Sequence, residues 1–254
     1  MKTWGRNLLF ALLVGPLATG AEEVGKPIPS ARMYIGLTAT EGNRNTALLN
    51  VSIVGEHERK GFGAIRGGLE TNYGTAKSEE TTESGEPRRK SLTTADNGRL
   101  FFNTKKTISP KLFWVADVAA GYDRVAKTDY RVAAVPGFGA YLILRDSVRL
   151  AADGGLGYVW EKSDEKTDRY PVGRVSERLE YQLNAAARLW QTFEYVPRTA
   201  DLSDYQMASE LGVETALNRR LSLRWVIQNR YDSTPPTGLK RNDFTLISAL
   251  AVSL

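Results

Sequence analysis

The sequence predicts an all-β fold, a closed antiparallel up-and-down transmembrane β-barrel of about 12 strands. Three observations lead there. Period-two alternation of apolar and polar residues recurs along most of the chain, which gives each strand two unlike faces. The connections between these runs alternate between tight and long, as do the periplasmic turns and outer loops of an outer-membrane barrel. One face of the runs also carries many charges of both signs. Burying each unpaired in an apolar core costs on the order of several kcal/mol, whereas a wet lumen accommodates them.

The first residues set the compartment. Lys2 and Arg6 precede an apolar run from Leu8 to Leu17, followed by small residues from Ala18 to Ala21. This is the layout of a cleaved secretory signal, and the run falls short of the roughly 20 apolar residues of a spanning helix. The expected organisation is a signal peptide over residues 1–21 and one barrel domain over residues 22–254. No later stretch is apolar enough for a helical span, and the mean hydropathy is −0.33. The cysteine count of 0 excludes disulfides, thiolate metal sites and cysteine nucleophiles. The net charge of +5 falls to +3 once Lys2 and Arg6 are removed, which does not suggest a nucleic-acid partner.

The strands follow in order. Ala31, Met33, Ile35, Leu37 and Ala39 alternate with polar or small neighbours. The pattern resumes more weakly at Ala47, Leu49, Val51 and Ile53, then at Ile65, Gly67, Leu69, Thr71 and Tyr73. A polar stretch over residues 77–94 reads as a long outer loop, and residues 99–108 as a weak strand. Strong alternation returns at 112–123, 130–144 and 148–160, and again through 178–189. Residues 192–197 form the second weak strand, and a tenth run carries Glu210 and Glu214. Leu221, Leu223, Trp225 and Ile227 make the eleventh. Phe244, Leu246, Leu250, Val252 and Leu254 make the last, expected to pair with the first. The tight set of connections is ERKG, SPK, RDS, LWQ and NRR; the long set includes KSDEKTDRYP, RTADLSD and STPPTGLK.

A soluble secreted barrel also alternates but turns its polar face outward; here the charged face is assigned to the lumen. Its candidate charges are Arg66, Glu70, Asp117, Arg131, Arg149 and Asp153, continuing with Arg178, Glu180, Glu210, Glu214, Arg224 and Arg230. No ring of one sign stands out, so an ion-paired plug and a narrow wet pore both remain open. Aromatics near strand ends suit the membrane interface: Trp114 and Trp190 by short turns, and Tyr73, Tyr122, Tyr158, Trp160, Tyr205 and Tyr231 at the other ends.

Signs of catalysis are few. The single histidine, His57 in VGEHERKG, falls beside a short turn, away from outer-leaflet lipid, and no G-x-S-x-G is present. An outer-membrane lipid enzyme is therefore the alternative and not the main reading. Glu210 and Glu214 lie four residues apart on one strand face, about 13 Å, too far for a glycosidase pair. Gly137 and Gly139 in PGFGAY precede no helix, so they are expected to make room for a large neighbour and not to cradle phosphate. DEKTD lacks the glycine and closing glutamate of a calcium loop. No cofactor or metal is implied. The loop over 77–94 holds four cations and four carboxylates and could meet outer-membrane lipids and lipopolysaccharide, or a binding partner. A monomer is expected.

GLTATEGNRNTALLNVSI resembles the first hairpin of the salt-induced outer-membrane protein family, and NRYDSTPPTGLKRNDFTLISALAVSL resembles its closing hairpin. The resemblance implies an outer-membrane barrel of uncharacterised biochemical role, linked by its name to salt or osmotic stress and inserted by the barrel-assembly machinery. Leu254 stands where such barrels usually carry an aromatic residue.

Overall fold

The computed structural model describes residues 30–40, 45–59, 63–81, 87–125, 127–163, 165–235 and 241–253. The expected signal peptide lies outside them. Among the described residues the regular elements are 12 strands. They are β1 (Ser30–Thr40), β2 (Asn45–Arg59), β3 (Gly63–Thr81), β4 (Pro87–Thr107), β5 (Leu112–Asp123) and β6 (Thr128–Leu144). The remainder are β7 (Val148–Ser163), β8 (Lys166–Gln182), β9 (Ala187–Arg198), β10 (Asp201–Ala216), β11 (Leu221–Asp232) and β12 (Asn242–Ser253). Each pairs antiparallel with its chain neighbours, and β12 closes onto β1. The closing register runs from Arg32 opposite Ser253 to Gly36 opposite Ala249, so the alternating final run is the stave that removes the last open edge.

Alternation sets the two faces. On β7, Leu156 is 71% exposed while Val159, three residues on and of the other parity, is 0% exposed. Leu69, Leu100, Phe138 and Leu246 share the outward, exposed side. The inward side holds charges and also apolar groups packed against one another. Ala133, Val135, Val159, Tyr170, Val172 and Val196 form one such cluster; Tyr34, Val54, Phe101 and Ala251 form a second; Phe113, Val115 and Ala151 form a third. Two inward aromatics need a missing side chain beside them. A Cβ on Gly139 would run into the ring of Phe113, and one on Gly212 into the indole of Trp190.

Short turns lie at one end. Two of them use the same device, an asparagine whose Oδ1 accepts two backbone N–H groups. Asn184 serves Ala186 and Ala187 at 2.8 and 2.9 Å, and Asn218 serves Arg220 and Leu221 at 2.8 and 2.9 Å. The turn between β8 and β9 therefore covers residues 183–186, not the expected LWQ, whose residues 189–191 lie inside β9. The alternating run assigned to 178–189 spans the end of β8, this turn and the start of β9. Small alanines at 185 and 186 kept the apolar rhythm going across the turn.

The other end differs from expectation in length. The polar stretch over 77–94 is mostly paired strand, with Thr81 opposite Pro87. KSDEKTDRYP is likewise a hairpin, β7 reaching Ser163 and β8 starting at Lys166. A spanning strand needs about 9–11 residues, whereas β3 has 19 and β4 has 21. Beyond the apolar band neither face needs to be apolar, so the ladder continues where alternation has stopped.

Candidate functional site

The site is the lumen, and its charges are layered. Among the described inward side chains, those within four residues of the short-turn strand ends are Arg32, Arg66, Lys105, Arg149, Arg178, Arg188 and Arg224, against Glu56, Glu180 and Glu214. This lower layer is positive. Five to eight residues from the same ends the order reverses: Glu70, Asp117, Asp153, Glu194 and Glu210 face Arg99 and Arg174. A near-neutral total thus hides two rings of opposite sign, because adjacent strands place their charges at different heights.

Arg174 is the hub of the middle layer, 5% exposed. Its Nε donates to Glu194 Oε2 at 2.8 Å, its Nη1 to Asp153 Oδ1 at 2.6 Å and its Nη2 to Ser176 Oγ at 3.2 Å. Asp117 Oδ2 lies 3.1 Å from Nη1, close enough for ion pairing, and its Oδ1 accepts from the Asn103 amide. One cation from β8 thereby ties β5, β7 and β9 across the barrel. Glu210 makes a second node: it accepts from the Trp190 indole at 2.6 Å and from Gln228 at 2.7 Å, with Arg224 at 3.4 Å. Glu214, four residues nearer the short-turn end of β10, is held by Arg188 at 2.8 Å and Arg32 at 3.4 Å. The two glutamates serve separate arginines.

Within the middle layer Arg99 also reaches Glu70 at 3.3 Å. An asparagine ladder crosses three strands beside it, Asn50 donating to Asn72 at 2.6 Å and Asn72 to Asn97 at 2.8 Å. Nearer the long-loop end, Arg131 donates to Glu161 at 2.9 Å and to Gln206 at 3.3 Å, and the Tyr170 hydroxyl donates to the same Glu161 carboxylate at 3.1 Å. Arg198 lies over the Tyr170 ring at 3.4 Å and reaches Asp168 and Asp204 at 2.9 and 2.8 Å. Asp168 stands in the part of the β7–β8 hairpin beyond the expected span. Slight burial works to raise its pKa, but the hydrogen bond from Arg198 and one from the Arg169 backbone outweigh it, leaving the carboxyl below the ordinary aspartate value.

The twelve charges picked from sequence all occupy inward-parity positions. Asp117 and Asp153 meet on Arg174, Arg224 meets Glu210, and Arg178 meets Glu180 at 2.6 Å. Arg230 bonds Gln228 at 3.4 Å. Arg149 stands at the short-turn mouth, opposite Glu180 in register. Of the eight aromatics, Tyr73, Tyr122, Tyr158 and Trp160 are exposed outward. Trp114 has the outward parity of β5. Tyr205 stacks on Tyr231, centroids 5.7 Å apart. Trp190 is a correction: it is 4% exposed and points into the lumen. Placing a turn at LWQ had put it at an interface; inside β9 its even number puts it on the inward face with Arg188 and Glu194.

Arg174, Glu194, Arg99, Lys105 and Arg188 were not among the sequence candidates. Pro171 and Gly173 interrupt the outward half of β8, so the strand seemed to begin near Arg178. The available signal was the even parity of Tyr170, Val172, Arg174 and Ser176 running into Arg178 and Glu180. His57 lies near the end of β2, opposite Ile65, and its Nδ1 has no hydrogen-bond partner among the described residues. Among those residues no cluster of three or more metal-ligating side chains occurs.

Solved structures with the same architecture are outer-membrane barrels. An outer-membrane channel from Pseudomonas putida F1 is 10% identical with a TM-score of 0.58, the match covering 95% of this chain and 100% of that one. The translocator domain of the autotransporter NalP from Neisseria meningitidis is 12% identical over 92% of this chain and 90% of that one, TM-score 0.48. The KdgM porin is 7% identical over 89% and 99%, TM-score 0.47. At 10% identity the likeness to the Pseudomonas channel is one of fold alone. No curated protein matches by sequence. The model of one family does, across residues 33–254, and over that length the chain belongs to the family described as proteins of unknown function, DUF481.

Proposed function

We propose that the chain resides in the outer membrane as a monomeric barrel with an occluded lumen, serving envelope integrity and not open diffusion. The observation that carries this reading is the burial of inward side chains. Val115, Val159, Val172 and Val226 are between 0% and 2% exposed, so other inward side chains cover the wall at these positions. Arg174 adds ion pairs to three other strands. An eight-stranded barrel is filled by side chains and one of sixteen leaves a channel; this lumen of 12 strands belongs with the first.

The proposed link to salt or osmotic stress rests on the resemblance of the two hairpins and on where the ion pairs lie. Pairs at the long-loop rim, such as Arg124 with Asp96 and Lys162 with Asp129, lie towards solvent and weaken as salt rises; those around Arg174 are enclosed and are screened much less. Outer-membrane lipids and lipopolysaccharide surround the barrel, and the assembly machinery inserts it. The chain is not an enzyme on this reading: His57→Ala leaves lipid turnover unchanged, and a loss of turnover would revive the lipid-enzyme alternative.

The test is single-channel recording from the full barrel in a planar bilayer across a salt series. Insertion is checked by protease protection of the strands. Inserted wild-type barrel is expected to be silent, and Arg174→Ala to open a steady conductance. Wild-type conductance that scales with salt overturns the occluded lumen in favour of a narrow pore.

A further inference from the structure

The middle layer explains closure, but the lower layer contains a group that closure does not use. Arg66 is 3% exposed, yet its Nε and Nη1 are covered and have no acceptor among the described residues. Glu56 sits directly opposite in the β2–β3 register, but its own Oε1 is also covered and without a partner. The two attract each other without hydrogen-bonding. Phe101 covers another side, its ring centroid 5.1 Å from the Arg66 guanidinium carbon. Enclosing guanidinium donors without acceptors is costly in a protein interior.

A second cation faces it from the opposite wall. Arg178 on β8 directs Nε and Nη2 to Glu180 Oε1 at 2.7 and 2.6 Å, which leaves its Nη1 covered with no acceptor. Arg178 points inward within four residues of a short-turn strand end, as Arg66 does, and β8 lies across the ring of strands from β3. The two like charges repel, and Arg188 adds a further cation to the same layer. Two strands from opposite sides of the barrel thus bring donor hydrogens to one region of net positive charge.

We propose that Arg66 and Arg178 form a binding site for a small oxyanion of the phosphate or carboxylate class, reached from the short-turn end of the lumen. Such an anion accepts from both Nη1 groups and cancels the repulsion between the two guanidinium groups. Planar guanidinium donors suit the separated oxygens of an oxyanion. Lipid headgroups do not reach an inward-facing pair, so the source is a free solute. The site extends beyond the occluded-lumen reading and does not depend on it, because binding from one end needs no path through the middle layer.

The experiment uses the full barrel folded in detergent micelles, titrated with inorganic phosphate by calorimetry at constant ionic strength set with chloride. Saturable 1:1 binding is expected for the wild type, weakened at least tenfold in Arg66→Gln and in Arg178→Gln. Glu56→Gln removes the competing carboxylate and is expected to tighten binding several-fold. Folding of each variant is checked by the heat-dependent shift in gel mobility, so that three separate substitutions carry the result. Absence of saturable phosphate binding in the wild type overturns the site. Unchanged affinity in both arginine variants overturns it as an adventitious ion only, and weaker binding in Glu56→Gln does so as well.

Discussion

Arg174 and Arg66 are almost equally enclosed, at 5% and 3% exposure, and the barrel treats them in opposite ways. Arg174 donates to two carboxylates and a hydroxyl and lies against a third carboxylate. Arg66 leaves two donor nitrogens unserved. Burial is therefore no guide to what an inward arginine does; the acceptors on neighbouring strands decide. Five carboxylates crowd the layer around Arg174, while Arg66 lies in a layer richer in cations. The first arrangement fixes strands to one another, and the second suits recognition of a ligand.

The largest expected effect comes from breaking the satisfied member. Arg174→Ala leaves Asp117, Asp153 and Glu194 enclosed without their cation. Removing one partner of a buried pair costs about 3–5 kcal/mol, and three carboxylates place this variant at the upper end. The measurement is the denaturant midpoint of the folded barrel in micelles. A loss below about 1 kcal/mol would mean that water already reaches the three carboxylates, and the occluded lumen would go with it.

Next is Trp190→Phe, which keeps the ring beside Gly212 but removes the N–H bound to Glu210. A hydrogen bond to a charged group is worth about 1.5–3 kcal/mol, and Gln228 and Arg224 remain on Glu210, so the lower figure is expected. The same denaturation series reads it. A neutral outcome would mean that the indole donor is dispensable, and that packing alone draws Trp190 inward.

The unsatisfied member predicts the opposite sign. Arg66→Met combined with Glu56→Gln removes an enclosed pair whose Nε, Nη1 and Oε1 lack partners among the described residues, and is expected to stabilise the phosphate-free barrel by about 1 kcal/mol, as replacing a whole buried ion pair often does. Destabilisation would show that Glu56 serves Arg66 after all. The outward face carries a charge with no ion-pair partner among the described residues. Glu177 of β8 is exposed, between inward Ser176 and Arg178, opposite Ala152 and Phe193. Charged groups on the lipid face of a barrel destabilise it, carboxylates less than arginine or lysine. Glu177→Leu is therefore expected to raise the midpoint by up to about 1 kcal/mol in a lipid bilayer, with little change in detergent.

Much of this was legible in the alternation, and the failures have particular causes. Strands flanked by Gly-, Asn- or Pro-rich turns and carrying large outward residues, such as β5, β6, β7 and β12, declare themselves, and so does the closure of β12 onto β1. Arg174 does not, because Pro171 and Gly173 interrupt the outward half of its strand just before it. Trp190 misleads because an aromatic beside an apparent turn looks like an interface anchor until the turn is found six residues earlier. The opposed charge layers are invisible for a different reason: height depends on register between strands, and the sequence states only order within each strand. Arg66 could be named as a lumen charge from parity, but its lack of acceptors depends on what β2, β4 and β8 bring to the same height.

The smallest expected effect tests the exposed counterpart of these enclosed pairs. Arg198 grips Asp168 at 2.9 Å at the rim, where the aspartate side chain is 49% exposed. The folded pKa of Asp168 lies below the ordinary value of 3.8. A depressed carboxyl contributes stability that is fully present above the unfolded value, and the contribution is lost as pH falls through the folded one. Because solvent screens an exposed pair, the amount is a few tenths of a kcal/mol. Asp168→Asn should therefore lower the denaturation midpoint slightly at pH 7 and merge with the wild type well below pH 3.8. The difference at pH 7 should shrink further in high salt, whereas the cost of Arg174→Ala should not. If both respond to salt alike, the middle layer is as wet as the rim, and the contrast between enclosed and exposed pairs does not hold.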